Sequence, residues 1–297
     1  MQIVPRPFGQ VLGDAINSLG RTWRALGSTA LMVFIPVGVL TLLIFRWTGA
    51  VDFLELVFND PGALNTLPPD VFLEVSRPFI RAVAVAVALQ TMAALFVYLA
   101  VHHVVASDIA GHQVSGPAAR RHAISRLGIG VVAALLGLVI VGALIGVGLA
   151  VWLIPFALVG TPNATSSLLA VALLLAFVGP GIWLLISLSM TTPVIAIEAK
   201  GPIAALARSF ALVKGRWWPT LGFLLMVGLL GSVAIQLIQL VAIPLTVVGD
   251  LGTGVFLASA LGIGAQGLIV AGIGAMYTAW YVDLRARRED LLNEDLG

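Results

Sequence analysis

The residues of this chain best suited to chemistry form two small groups. His102, His103, Asp108 and His112 are the nearest approach to a metal cluster. Asp108 and His112 are one helical turn apart and would share a face, whereas His102 and His103 are adjacent and would diverge. A zinc site needs three or four convergent ligands, so these histidines are expected to serve the end of a membrane helix rather than a metal. Glu198 and Arg208 form the second group. A carboxylate at the end of an apolar helix is costly unless paired, and Arg208 is its natural partner. Their expected role is a structural ion pair. No nucleophile–base pair stands out, so no catalytic residue, metal or other cofactor is assigned and no enzymatic activity is expected. The chain has no cysteine, which removes disulfides, thiolate metal sites and cysteine nucleophiles.

These groups belong to a chain made mostly of apolar runs. Hydrophobic residues are 60% and charged residues 10%, too few charges to cover a soluble domain of this length. Six apolar segments reach the roughly 18 residues needed to cross a bilayer as helices: Gly27–Phe45, Ala82–Ala106, Gly128–Val159, Leu168–Ile197, Leu221–Val248 and Gly252–Tyr281. The expected fold is an all-α integral membrane protein, one polytopic domain over residues 1–297 with six transmembrane helices in three hairpins. The first segment lacks a small-residue cleavage pattern and is expected to stay as a membrane helix.

Charge gives the orientation. Arg6, Arg21, Arg24, Arg120, Arg121, Arg126, Lys200, Arg208, Lys214, Arg216, Arg285, Arg287 and Arg288 fall on one side of the six segments. Only Arg46, Arg77 and Arg81 fall on the other, with Asp52, Glu55, Asp60, Asp70, Glu74 and Asp250. The positive-inside rule puts both termini in the cytoplasm, and the expected location is a bacterial inner membrane.

Each hairpin is preceded by an amphipathic stretch on the basic side: Phe8–Leu26, Gly116–Leu127 and Gly201–Arg216. The last two open alike, with Gly116-Pro117 and Gly201-Pro202, and proline suits the first helical position. In the third stretch, Lys200, Lys214 and Arg216 can meet anionic headgroups while Trp217 and Trp218 mark the interface. On the other side, Val51–Phe58 and Pro69–Ser76 are expected as short surface helices, separated by turn signals at Asp60-Pro61-Gly62 and Pro68-Pro69.

Inside the segments, no Asp or Glu lies at mid-depth, which argues against proton- or sodium-coupled transport. Ser187, Ser189, Gln236, Gln239 and Gln266 could line a polar seam between the last three helices. Gly179-Pro180-Gly181 and Thr191-Thr192-Pro193 are expected to interrupt the fourth. The pair Gly142/Gly146 and the stripes Gly254/Ala258/Gly262 and Gly267/Ala271/Ala275 allow close helix approach or homo-oligomer formation.

The stretch Pro193-Val-Ile-Ala-Ile-Glu198, then Gly201, Ala205-Leu206, Arg208-Ser209, Leu212, Lys214-Gly215 and Trp217, resembles the membrane domain of glycerophosphoryl diester phosphodiesterases. So do Asp108-Ile-Ala-Gly111-His-Gln-Val114-Ser115 and the opening Arg6-Pro7-Phe8-Gly9 with Trp23. The resemblance implies six membrane helices with both ends inside. The catalytic barrel of those enzymes has no counterpart here, so their activity is not carried over. The expected function is a non-enzymatic membrane scaffold or accessory subunit. Its expected partners are membrane lipids and either another protein or a second copy; nucleic acid is not one. The alternative is passive movement of a lipid along the polar seam.

Overall fold

The computed structural model describes residues 6–59, 62, 67–159, 163–247 and 251–289. Among these residues there are helices and no strands: α1 Phe8–Trp47, α2 Ala50–Asn59, α3 Pro69–Ile109, α4 Gly116–Val159, α5 Ala164–Ser187, α6 Thr191–Ile197, α7 Pro202–Val213, α8 Trp217–Ala242 and α9 Leu251–Ala286. A 3-10 turn, Ile243–Val247, extends α8 across Pro244. Six helical spans are long and apolar enough to cross a membrane. The fold is that of an all-α, multi-pass membrane protein.

Several helices are longer than the apolar runs inside them. The stretch Phe8–Leu26 is continuous with the first span, giving a helix of 40 residues, about 60 Å long and twice the hydrocarbon thickness. Gly116–Leu127 likewise continues into α4, 44 residues in all. An isolated glycine costs only about 1 kcal/mol within a helix, so Gly27 and Gly128 do not end these helices. On the opposite side, Pro69–Ser76 is not a separate surface helix but the start of α3, with Pro69 at its first position. The turn signal at Asp60-Pro61 lies outside the described residues, as does Val248.

The third stretch does stay separate. Ala199 adopts φ 55°, the one positive φ at a non-glycine residue among those described. Gly201-Pro202 follows, and a residue before proline is biased away from helix. Gly215, at φ 81°, closes the far end of α7. Within the fourth span, Gly179-Pro180-Gly181 does not break the helix; α5 runs through it to Ser187. The break comes at 188–190, just before Thr191-Thr192-Pro193. Ser209 of α7 bridges it: the Met190 amide donates to Ser209 Oγ at 3.0 Å, and Ser209 Oγ donates to Ser187 O at 2.9 Å. The backbone groups freed by the break are thereby satisfied, as a buried chain requires.

The helices pack unevenly. At the end carrying most of the arginines, every residue from Thr278 to Ala286 of α9 is buried, so the last turns of this helix are enclosed on all sides. Val11 of α1 and Ile109 of α3 lie beside Ala279, Val282 and Asp283, His102 of α3 meets Thr278, and Glu198 at the end of α6 meets Tyr281. The first stretch of α1 presents Val11, Ala15, Ser18 and Leu26 inward at helical spacing and runs antiparallel to α9. Towards the other end the helices part. α4 and α5 lean on each other, with Leu138, Val139, Leu149, Leu168 and Leu175 exposed, and the far half of α8 exposes Leu229, Val233, Leu237 and Leu240. Trp23 and Trp47 of α1 are both exposed and lie about 36 Å apart along the helix.

Candidate functional site

Glu198 caps the C-terminus of α6 and is the hub of the basic end. Arg208 Nε donates to its two oxygens at 3.0 and 3.1 Å, and the Tyr281 hydroxyl donates to Oε1 at 2.6 Å. Lys200 Nζ lies 2.8 Å from Oε2, and Arg285 Nε 3.8 Å from Oε1. Glu289 extends the network, pairing with Arg208 and, at 3.1 Å, with Arg285. One carboxylate thus ties α6, α7 and α9 together. Ala199, whose backbone is left-handed, lies between Glu198 and Lys200, and the Lys200 side chain turns back to the Glu198 carboxylate. Burial raises the Glu198 carboxyl, but hydrogen bonds from Lys200, Tyr281 and Arg208, with the charge of Arg208, outweigh it and leave the group below its ordinary value. For Arg208, burial disfavours the charged form, and Glu289 and Glu198 more than restore it.

A second lock joins the two ends of the chain. Asp283 accepts the Arg6 amide at 2.9 Å and Arg287 Nε at 2.6 Å, while Arg287 Nη2 donates to the Arg6 carbonyl at 2.6 Å. Arg6 also pairs with Asp14. In the sequence, Tyr281 and Asp283 have no assigned role, and Ser209 figures only as part of the Arg208-Ser209 motif. The signal for Tyr281 is its spacing from Arg285, which places both on one helical face with Glu198.

The histidine group does not converge. His102 is buried in the bundle, with Nδ1 2.8 Å from Thr278 Oγ1; that hydroxyl donates to Gly274 O, which leaves His102 as the donor. His103 stacks on His122, ring centroids 4.0 Å apart, and His122 Nε2 donates to Ala196 O at 2.8 Å. Asp108 pairs with Arg21 at 2.6 Å, and His112 lies exposed beyond α3. Among the described residues no group of three or more potential ligands could hold a metal ion.

The five seam residues do not line one surface. Ser187 Oγ donates to Trp183 O in its own helix, and Ser189 Oγ is buried without a hydrogen-bond partner. Trp217 Nε1 donates to Trp183 O, so the start of α8 is level with Trp183. Gln236 then lies about 28 Å along α8 from that level, exposed like Gln239, with Gln266 half-buried on α9. Helix spacing put the five on neighbouring spans but at different depths.

Of the five candidate headgroup contacts, Lys214, Arg216 and Trp218 are exposed. Lys200 is held by Glu198 and Trp217 by Trp183. The outward face of α7 is Ile203, Ala204, Ala207 and Ala211. The small-residue motifs divide. A β-carbon at Gly267 would meet Phe34 at 2.9 Å, and Ala271 and Ala275 are buried, so this stripe seats α1 on α9. Nothing lies within 4 Å of a β-carbon at Gly142, Gly146 or Gly262; the close approach of α4 and α5 is at Gly148 and Gly181 instead.

No family model, curated protein or solved structure matches the chain. Fold and site therefore define a class, a six-span α-helical membrane protein with a polar-locked basic end, and its function is argued from the geometry.

Proposed function

We propose that this chain is a non-enzymatic scaffold or accessory subunit of a bacterial inner membrane, with both termini cytoplasmic. On this reading it is a relative of the membrane domain of glycerophosphoryl diester phosphodiesterases. The observation that carries the proposal is the division of charge at the basic end. Glu198, Arg208, Arg285, Glu289, Asp283 and Arg287 are committed to one another and to the backbone. Lys214, Arg216, Arg121, Trp218 and Trp23 face outward. The first set holds helices together; the second offers cations and indoles where an anionic leaflet or a partner's acidic surface would lie.

The test is gentle purification with mass spectrometry of retained lipids and proteins, alongside an assay for glycerol phosphate release from glycerophosphodiesters with and without divalent metal. Reproducible retention of anionic lipid or one partner, without turnover, is expected. Turnover that disappears in His103→Ala or Asp108→Ala overturns the proposal.

A further inference from the structure

α1 and α8 both pack on α9, and between the first turn of α1 and the first turns of α8 lies a half-open groove of about 460 Å³. Its wall is aromatic. Phe223 and Trp280 stack, with ring centroids 5.0 Å apart and planes 6° from parallel. Phe8 sets its edge to both, at 6.4 and 6.0 Å. The indole nitrogen of Trp280 is turned to Thr220 Oγ1 at 3.4 Å, so its one polar atom is used inside the packing.

Two guanidinium groups stand at the mouth, Arg216 and Arg287. Arg287 gives Nε to Asp283 and one Nη2 proton to the Arg6 carbonyl, which leaves other N–H groups free to donate. Arg216 is exposed and has no carboxylate at ion-pair distance among the described residues. No acidic side chain lines the groove.

Depth follows from the helix. Arg216 precedes Trp217-Trp218, the residues of interfacial type. Gly222 and Met226, on the groove wall, lie about 9 and 15 Å further along α8. The groove therefore runs from headgroup level into the hydrocarbon, cationic at one end and apolar along its length. An amphipathic anion fits this gradient. Arginine holds a phosphodiester through two parallel N–H groups, and a 460 Å³ groove accommodates a phosphate and the upper part of one acyl chain rather than a whole lipid.

We propose that this groove is a binding site for an anionic phospholipid, with the phosphodiester on Arg216 and Arg287 and one acyl chain along Phe223, Trp280 and Phe8. The inference rests on the reading of the basic end as a leaflet-facing surface.

Three variants separate charge from shape. Arg216→Gln removes the free guanidinium, and Arg216→Lys keeps a charge. Gly222→Phe fills the groove and leaves its charge intact; nothing lies within 4 Å of a β-carbon there, so the fold has room for it. The full-length protein is placed in nanodiscs of phosphatidylcholine with a minor share of phosphatidylglycerol of the same chains, then released into native mass spectrometry. The wild type should retain phosphatidylglycerol over phosphatidylcholine. Arg216→Gln and Gly222→Phe should each reduce that retention about tenfold, as expected for losing charge-assisted hydrogen bonds or the chain's space. Arg216→Lys should restore part of it, and free glycerol phosphate should not displace the lipid. An intact preference in both Arg216→Gln and Gly222→Phe overturns the groove but spares the leaflet-facing reading. No preference in the wild type overturns both. Displacement by glycerol phosphate overturns the lipid assignment in favour of a soluble phosphate ester.

Discussion

Replacing Glu198 by glutamine keeps the shape of the side chain and removes the charge that three helices share. Two of its donors carry the effect. The Arg208 guanidinium and the Tyr281 hydroxyl reach a carboxylate whose side chain is 9% exposed. Hydrogen bonds to charged groups contribute about 1.5–3 kcal/mol each. Lys200 is 38% exposed, and a pair so open to water adds about 0–1 kcal/mol. Glutamine can still accept one bond but turns an amide N–H₂ towards donors. The expected loss is about 3 kcal/mol. Arg208→Gln leaves Glu198 with Tyr281 and Lys200 and should cost about 2 kcal/mol on the same scale. Because one interaction is shared, the double variant should fall short of the sum by about 1–2 kcal/mol. The assay is unfolding in mixed micelles with increasing sodium dodecyl sulfate, followed by tryptophan fluorescence and helical circular dichroism. A pH series adds a sign. The folded Glu198 carboxyl titrates below its ordinary value of 4.5, so its stabilisation is complete above the unfolded value and is lost as pH falls through the folded one. Between about pH 6 and about pH 3 the wild type should therefore lose stability relative to Glu198→Gln. Strictly additive losses, or parallel pH profiles, would refute the shared network.

Other outcomes follow from the fold. Reporter fusions after Gly297 and inside 62–67 should register opposite sides of the membrane, with the C-terminal one cytoplasmic; the same side for both contradicts the orientation. Metal analysis of the purified protein should find no stoichiometric zinc, because His102, His103, Asp108 and His112 are each committed elsewhere or exposed apart. Gly267→Ala should lower the unfolding free energy by about 1–3 kcal/mol, since fully buried Phe34 has no room to yield. Gly142→Ala meets nothing within 4 Å and should be neutral or stabilising by up to about 1 kcal/mol in the same titration; a loss there would mean that Gly142 seats another chain.

Much of this architecture was legible in the sequence because lipid imposes simple demands. Runs of apolar residues marked the six spans, and Glu198 with Arg208 showed as a pair because an unmatched charge at a helix end is costly. What escaped was whatever depended on depth or facing. The Gly142–Gly146 spacing shows that two glycines share a face of α4, but not that the face meeting α5 carries Gly148. Ser187 and Gln236 are on neighbouring spans, yet a difference of depth of about 34 Å separates them. The enclosure of Tyr281, Asp283 and Arg285 could not be read locally: in sequence they look like polar residues leaving a membrane, and only the packing of α1 and α3 along α9, with the contacts from Arg6 and Glu198, takes them out of water. Ser209 carries still less signal, being one hydroxyl whose two partners belong to a break in another helix.

The uneven packing has a physical basis. Within hydrocarbon, apolar side chains gain nothing by leaving lipid for each other, so helices associate through close backbone approach and scattered hydrogen bonds. At the headgroup boundary water is present, burial of apolar surface again stabilises, and carboxylate–guanidinium pairs can form without the full cost of the membrane interior. The described residues concentrate both there. Tyr281, Leu212, Leu284 and Ile195 are buried beside the Glu198 network, while the far halves of α4, α5 and α8 present leucine and valine outward. The same glycine-to-alanine change should then act differently at the two levels. At Gly267 the added carbon strikes a residue enclosed by α1, α3 and α9. At Gly148 it overlaps Phe177 and approaches its Cγ at 3.2 Å, but α5 has lipid behind it and can move away. A hairpin free to shift beside a locked base is what a scaffold needs if one part is to hold its form while another adapts to whatever lies beside it in the bilayer.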